Sequence, residues 1–238
     1  MQPSAQSDLE VYPMSGAKAR RASGRPQLDR ESIVAAAIEL AAAGEPVTFR
    51  GLGTALGTDP TAVYRHFRDK EELVQTVMDR LILRMHEQLD HDAPWREQLW
   101  HGAVLSIDLF AAHPHIGVEA SVVGTGGEGE LAAINWILTQ LGRAGLDKQQ
   151  AVRFYAAYSG YVLAAAAALS RQRLRDDEGP VSSWIGDLRA VDAARLPALA
   201  AVLPELVDLV DRDVFLTGIE VFLDSVEAIA SSSADSGS

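Results

Sequence analysis

The run Gly57-Thr58-Asp59-Pro60 limits what this chain can fold into more than any other stretch. A glycine, an N-cap residue and a proline in this order read as the end of one helix and the start of another. Gly57 supplies a position where positive φ is cheap. Asp59 is a good N-cap, and Pro60 falls at the first helical position, where its missing N–H costs nothing. The flanks are helical in pattern. Thr48 caps a helix whose apolar positions are Leu52, Ala55 and Leu56. Pro60 opens a short helix predicted to reach about His66, with Val63 and Phe67 packing back on Leu52 and Leu56. Asp69 and Glu72 read as a capping box that opens the next helix. Val47 to Leu73 is therefore expected to be a helix, a tight turn, a short helix and the start of a third, which is a helix-turn-helix.

The short helix leaves Thr58, Thr61, Ala62, Tyr64, Arg65 and His66 for an outer face. Hydroxyls, a guanidinium and an imidazole on a small surface helix suit the edges and phosphates of a DNA major groove. Lys70 falls at a helix N-terminus, where a phosphate would be held. Thr48, Arg50, Pro60 and Arg25 complete the set of expected DNA contacts. Arg65 is the residue most expected to face DNA. Tyr64 divides between core and phosphate, and His66 between capping and packing. Gly51 and Gly53 each cost roughly 1 kcal/mol of helix propensity, so their helix is expected to be loose until it docks. The bland alternative is a three-helix bundle with fortuitous turn residues.

A net charge of −12 looks wrong for a DNA binder until its distribution is read. Met14 to Lys70 holds nine Lys/Arg against six Asp/Glu, while residues 71–238 carry −13. An acidic body would repel DNA everywhere except through the basic head. Residues 1–27 are polar and aperiodic and are expected to be a disordered arm. Its Lys18, Arg20, Arg21 and Arg25 serve either to follow phosphates or to solubilise. Met14 opens a shorter reading frame.

Residues 28–75, together with Gly24 to Pro26, resemble the DNA-binding domain of the TetR family of bacterial transcription regulators. The carriers are the Ile33 to Leu40 run, Val47-Thr48, Leu56-Gly57 and Val63-Tyr64-Arg65-His66-Phe67-Arg68-Asp69-Lys70-Glu71-Glu72-Leu73. The resemblance implies an all-α chain, with a three-helix head over 28–74 and a helical ligand-binding and dimerisation body over 75–230. The body is more weakly similar to the tetracycline-repressor type, through Pro94 to Leu99, His113-Pro114, Arg143 to Leu146 and Ala151 to Leu163.

The body reads as helix throughout. Predicted helices cover Arg30 to Ala43, Lys70 to about Leu89, Pro94 to Ala112, a weak Ile116 to Val123, Glu130 to Arg143 and Lys148 to about Arg173. One or two more lie between Leu188 and Leu203, broken by Pro197 and Pro204. The last is capped by Asp211 and gives way at Ser231 to a disordered tail. Gly124 to Gly129 reads as a flexible loop; no Lys-Ser/Thr pair follows it and no strand precedes it, so it is not a phosphate loop. Residues 174–183 read as a charged loop. The helices at 148–173 and 211–230 look too apolar and too rich in small residues for a monomer's surface, which favours a homodimer.

A small, mostly apolar effector is expected in a cavity between body helices. Trp100, His101, Leu105, Phe110 and His113 are its candidates on one helix, and Trp136, Tyr155, Tyr158 and Tyr161 on the next two. For each, ordinary core packing is the competing reading. His86 and His91 are five apart, not the four of a helical metal pair, and read as solvated surface. No cofactor and no metal is expected. No catalytic constellation is recognisable, so an enzyme is not expected. There is no cysteine. No run looks apolar and long enough for a membrane, and no signal segment is seen, so the cytoplasm is the expected place. Two other functions compete with the repressor reading. One is a helical carrier or enzyme that keeps the head as a relic; the other is a regulator whose cavity is closed by packing. Repression is the family default, with activation left open.

Overall fold

The computed structural model describes residues 28–175, 192, 194–207 and 209–235, and all regular structure among them is helical. The helices are α1 (Arg30–Ala42), α2 (Phe49–Ala55), α3 (Pro60–Val63), α4 (Lys70–His86), α5 (Trp95–Ala112), α6 (Pro114–Gly117), α7 (Glu128–Arg143), α8 (Lys148–Arg175), α9 (Pro197–Val207) and α10 (Asp211–Asp235).

Helix α1 starts where Asp29 accepts the Ser32 N–H at 2.7 Å and Ser32 reaches back to the Asp29 N–H. Its Ile33, Val34, Ala37 and Ala41 are buried. With Leu52, Val63, Phe67 and Leu73 they make the core of the head. Gly57 turns at φ +61°, and Gly44 ends the α1 turn at φ +76°.

Helix α4 leaves the head and enters the body. Leu73, Val77 and Leu81, four residues apart, are buried along it, with Met85 next in the series. It packs on α7 and α5, and α5, α7 and α8 pack on one another. Helix α10 lies against α5 and α8. Arg96 on α5 bridges to Glu220, Asp224 and Glu227 on α10.

Several expectations change. Helix α3 stops at Val63 rather than His66, because the Arg65 and His66 N–H groups bond three residues back, to Ala62 and Val63, and tighten the chain into turns. Helix α4 ends at His86 rather than Leu89 for the same reason. Helix α6 begins at Pro114 and lasts four residues; the chain beyond it, where Ile116 to Val123 was expected as helix, is mostly turns bonded three back. Helix α7 opens two residues early, at Glu128. Pro197 starts α9 and Pro204 lies inside it. Helix α10 runs on to Asp235, past the expected start of the tail.

Helix α8 reaches Arg175, so the expected loop at 174–183 begins at least two residues later; most of it lies outside the described residues. By length and apolar composition α8 would suffice to cross a membrane, which the sequence reading did not foresee. Its contacts with α5, α6, α7 and α10 make it a packed helix of the body.

Candidate DNA-binding face and body cavity

The head is held by a residue that sequence reasoning passed over. The Arg30 guanidinium donates to the His66 carbonyl at 2.7 Å, to Glu72 Oε1 at 3.0 Å and to Thr76 Oγ1 at 3.0 Å. It also lies 4.2 Å over the Phe67 ring. One side chain of α1 thus fixes the turn after α3 against the start of α4. This engagement changes the expected capping box. Asp69 accepts the Glu72 N–H at 2.8 Å, but the Glu72 carboxylate accepts from the Arg68 N–H, not from Asp69. That backbone hydrogen bond, with Arg30 second, holds the Glu72 carboxyl below its ordinary range. Arg80 on α4 makes a two-pronged bridge to Glu31 on α1, at 2.6 and 2.8 Å. The head and α4 as far as Arg80 are therefore one block.

Helix α2 is not loosened by its glycines in the expected way. Gly53 is buried, and a Cβ there would stand 3.0 Å from the Thr58 carbonyl oxygen and 3.1 Å from Pro60 ring atoms. Its own carbonyl accepts the Thr58 N–H at 2.8 Å. Glycine is what lets α2 and α3 touch.

The expected DNA contacts sort by what else they do. Thr48 caps α2 by accepting the Gly51 N–H at 3.0 Å. Thr61 donates its hydroxyl to Asp59 at 2.6 Å, leaving its lone pairs outward. Tyr64 is 59% exposed, yet its ring meets Phe49 edge-on at 4.2 Å. His66 is half-buried, with its carbonyl on Arg30. Thr58, Pro60 and Ala62 are half-buried on the α2–α3 turn and α3. Arg50, Arg65 and Lys70 are exposed, and none of the three makes a side-chain hydrogen bond or ion pair among the described residues. Arg25 lies outside the described residues.

In the body a cavity of about 110 Å³ opens between α4, α5, α7 and α8. Of the nine candidates, Phe110, Trp136, Tyr155 and Tyr158 line it. Trp136 is pinned from two sides. Its Nε1 donates to Gln98 Oε1 at 2.9 Å, and a Cβ on Gly102 would stand 2.3 Å from its ring. Tyr158 donates to the Leu99 carbonyl, and full burial pushes its phenol well above the ordinary range.

The other five are elsewhere. Tyr161 stacks on Phe215 and donates to its carbonyl at 3.2 Å, over Gly218 of α10. His113 puts Nδ1 2.8 Å from the Leu109 carbonyl and ends α5. Trp100 and His101 meet each other edge-on at 5.4 Å, and Leu105 is partly buried against the core. None of these is in the cavity wall. Sequence reasoning missed the aliphatic wall, Ile82 and Met85 of α4 above all, because these residues pattern like any core position. It also missed Glu130 and Ser106.

The glycine loop before α7 is bound rather than free. Asp79 of α4 accepts the Gly129 N–H at 3.1 Å, the Glu130 N–H at 3.0 Å and the Thr125 hydroxyl at 2.7 Å. A Cβ on Gly127 would stand 2.3 Å from the Asp79 carboxyl carbon, and one on Gly129 would stand 2.2 Å from the Asp79 carbonyl oxygen. Helix α7 thus has its N-terminal N–H groups capped by a side chain of another helix. No signal inside Gly124 to Gly129 names that partner.

His91 is exposed as expected, but His86 is half-buried between His91 and Trp136, with ring centroids at 5.1 and 6.1 Å. Burial, and then His91, lower its pKa.

Residues 33–77 match the family described as "Bacterial regulatory proteins, tetR family". An HTH-type transcriptional regulator of Saccharopolyspora erythraea is 26% identical over 178 residues, 74% of this chain and 75% of that protein. The HTH-type transcriptional repressor DrrR1 of Streptomyces coeruleorubidus is 26% identical over 182 residues, 75% of this chain and 66% of its own length. The fold is shared with a TetR regulator of Streptomyces coelicolor at TM-score 0.67 and 24% identity, covering 85% of this chain and 99% of that one. It is shared also with ActR of the same organism, solved with actinorhodin, at TM-score 0.70 and 21% identity, covering 85% and 97%. The head matches the TetR family in sequence and the body shares the fold of solved TetR regulators, so the chain is similar to that family of bacterial transcription regulators along its described length.

Proposed function

We propose that the chain is a cytoplasmic, homodimeric repressor that leaves a palindromic operator when a small, mostly apolar effector enters the body cavity. The observation that carries this is α4. Its first residue, Lys70, stands exposed beside the α3 turn, and Ile82 and Met85 near its other end line the cavity. Arg30 ties its start to the head, Arg80 ties its middle to α1, and the neighbouring Asp79 ties that same middle to α7. An effector that spreads α4 from α7 and α8 would turn the head with it. Only its differential affinity for the two arrangements counts, and a shift from 1:99 to 99:1 takes about 5.5 kcal/mol.

Arg65, Lys70, Arg50 and the Tyr64 hydroxyl are the contacts we assign to DNA, with Thr58, Thr61 and Ala62 as the surface between them. Arg25 would reach the phosphates from the arm. Pairing two heads on half-sites roughly 34–36 Å apart requires a two-fold axis. The exposed small face of α8, with Ala157, Gly160, Ala164 and Ala168, and that of α10, with Val221 and Ala228, support a four-helix dimer seam. Nothing in the protomer lies within 4 Å of a Cβ at Gly160. DrrR1 is named a repressor, and ActR was solved with actinorhodin bound. Both support repression and ligand control by this fold.

The test is selection of bound sequences from a random duplex pool by the purified chain, with the Tyr64→Ala/Arg65→Ala double variant alongside. The expected result is a palindromic consensus that the double variant fails to enrich. No enrichment at low salt by folded protein would overturn the DNA-binding reading.

A further inference from the structure

The cavity wall carries one formal charge, and its chemistry narrows the effector. Among the residues lining it, Glu130 is the only charged side chain; there is no Lys, Arg or His. Glu130 Oε2 is already engaged, accepting from the Thr125 N–H at 2.7 Å and the Gly126 N–H at 2.6 Å. Oε1 has no hydrogen-bond partner among the described residues. The carboxylate is thus held rigidly by one oxygen, and the other is open to a donor.

The remaining polar groups are neutral: the Tyr155 and Ser159 hydroxyls line the cavity with no side-chain hydrogen bond among the described residues, and they carry no charge to offset the carboxylate. The Ser106 hydroxyl is spent on the Gly102 carbonyl at 2.7 Å, and the Tyr158 hydroxyl on Leu99. The rings of Phe110, Trp136 and Tyr155 line the same cavity. An anion brought into this space would meet a fixed carboxylate with no cation to pair with, whereas an ammonium would meet both a carboxylate and aromatic faces. We propose that the effector is a compact aromatic molecule bearing a cationic amine, with Glu130 Oε1 as the group that receives it. This rests on the cavity being the effector site.

Glu130→Gln separates the two duties of the side chain. Its amide oxygen keeps the acceptor for the Thr125 and Gly126 N–H groups, and its NH₂ replaces the open oxygen. The experiment is calorimetric titration of the full chain with three two-ring probes: 2-naphthylmethylamine, 2-naphthol and 2-naphthoate. The wild type is expected to bind the amine at least ten-fold tighter than the carboxylate, with naphthol between. Glu130→Gln is expected to remove at least ten-fold of the amine's advantage while leaving naphthol within about three-fold. The wild-type ranking does not depend on how the variant folds. Equal or tighter binding of 2-naphthoate by the wild type overturns the proposal, as does an unchanged preference in a folded Glu130→Gln variant; both leave the cavity as a ligand site. Absence of binding by all three probes overturns the cavity reading together with the proposal.

Discussion

Two glycines of α7 make opposite predictions for the same substitution. At Gly142 a methyl group in the Cβ position would have nothing within 4 Å, so Gly142→Ala should gain about 0.5–1 kcal/mol from helix propensity alone. Gly129 is buried in the first turn, and its Cβ would stand 2.2 Å from the Asp79 carbonyl oxygen and 3.0 Å from the Leu83 nitrogen. Both obstacles are backbone of α4 and cannot rotate away. Relief needs α7 to retreat by about 1 Å to reach ordinary contact, which would stretch the Asp79 hydrogen bonds to the Gly129 and Glu130 N–H groups, now 3.1 and 3.0 Å, past bonding range. Overpacking of this kind costs roughly 1–3 kcal/mol. After the propensity gain, Gly129→Ala should lose about 1–2 kcal/mol net. For a chain of this size that is a melting temperature lower by roughly 2–8 °C, with Gly142→Ala moving up by about 1–4 °C. The assay is thermal and urea unfolding of both variants at one fixed protein concentration, since association shifts apparent stability. If Gly129→Ala stabilises as much as Gly142→Ala, then close approach is not why glycine stands at 129, and the cross-helix cap is looser than its distances imply.

Arg30→Met removes three hydrogen bonds and the contact over Phe67; with the side chain partly exposed, it should cost about 1–2 kcal/mol and soften the head first, read by hydrogen exchange at His66 to Phe67. Arg65→Ala should weaken specific operator binding by roughly 1–3 kcal/mol and relax base preference. Lys70→Ala should weaken binding on all sequences alike and lower the salt slope by about one unit, so an unchanged slope removes it from the phosphates. Ala164→Glu should yield monomers by sedimentation if α8 forms the seam, and a dimer that persists would move the interface elsewhere. His86 has a folded pKa below its unfolded value of about 6.5, so its contribution is intact above that pH and is lost as pH falls through the folded value. Stability should therefore drop on acidification below about pH 6.5, and less steeply in His86→Gln; parallel curves would refute the assignment.

How legible the molecule was in its sequence depended on the range of the interaction. Thr48 and Asp59 announce helix starts within three residues of themselves, and the structure forms those caps. Gly57 needs only its own φ. Gly53, Gly102, Gly127 and Gly129 carry no such local sign. Their reason is a partner elsewhere: the Thr58–Pro60 turn, Trp136, or Asp79, about 50 residues away. Read locally, they look like lost helix propensity or a flexible loop. Glu72 misled because its carboxylate takes the Arg68 N–H, one residue off the expected box, and with its other oxygen Arg30, 42 residues distant. In the cavity, large aromatics were a fair guide, and Phe110, Trp136, Tyr155 and Tyr158 are there. Ile82, Met85 and Glu130 were not legible, since the first two pattern as core and the third as a solvated helix face.

The division of labour in the head has a consequence for how such a protein changes over generations. The side chains that hold α3 in place, Arg30, Val63 and Phe67, are buried or tied down, whereas Arg65 and Lys70 owe nothing to the fold. Substitutions at the second pair are close to neutral for folding and can be sampled freely. With Arg65 and Lys70 as the DNA contacts proposed above, a duplicated copy would drift to a new operator one residue at a time, passing through no unfolded ancestor, while the scaffold that aims the helix stays as it was.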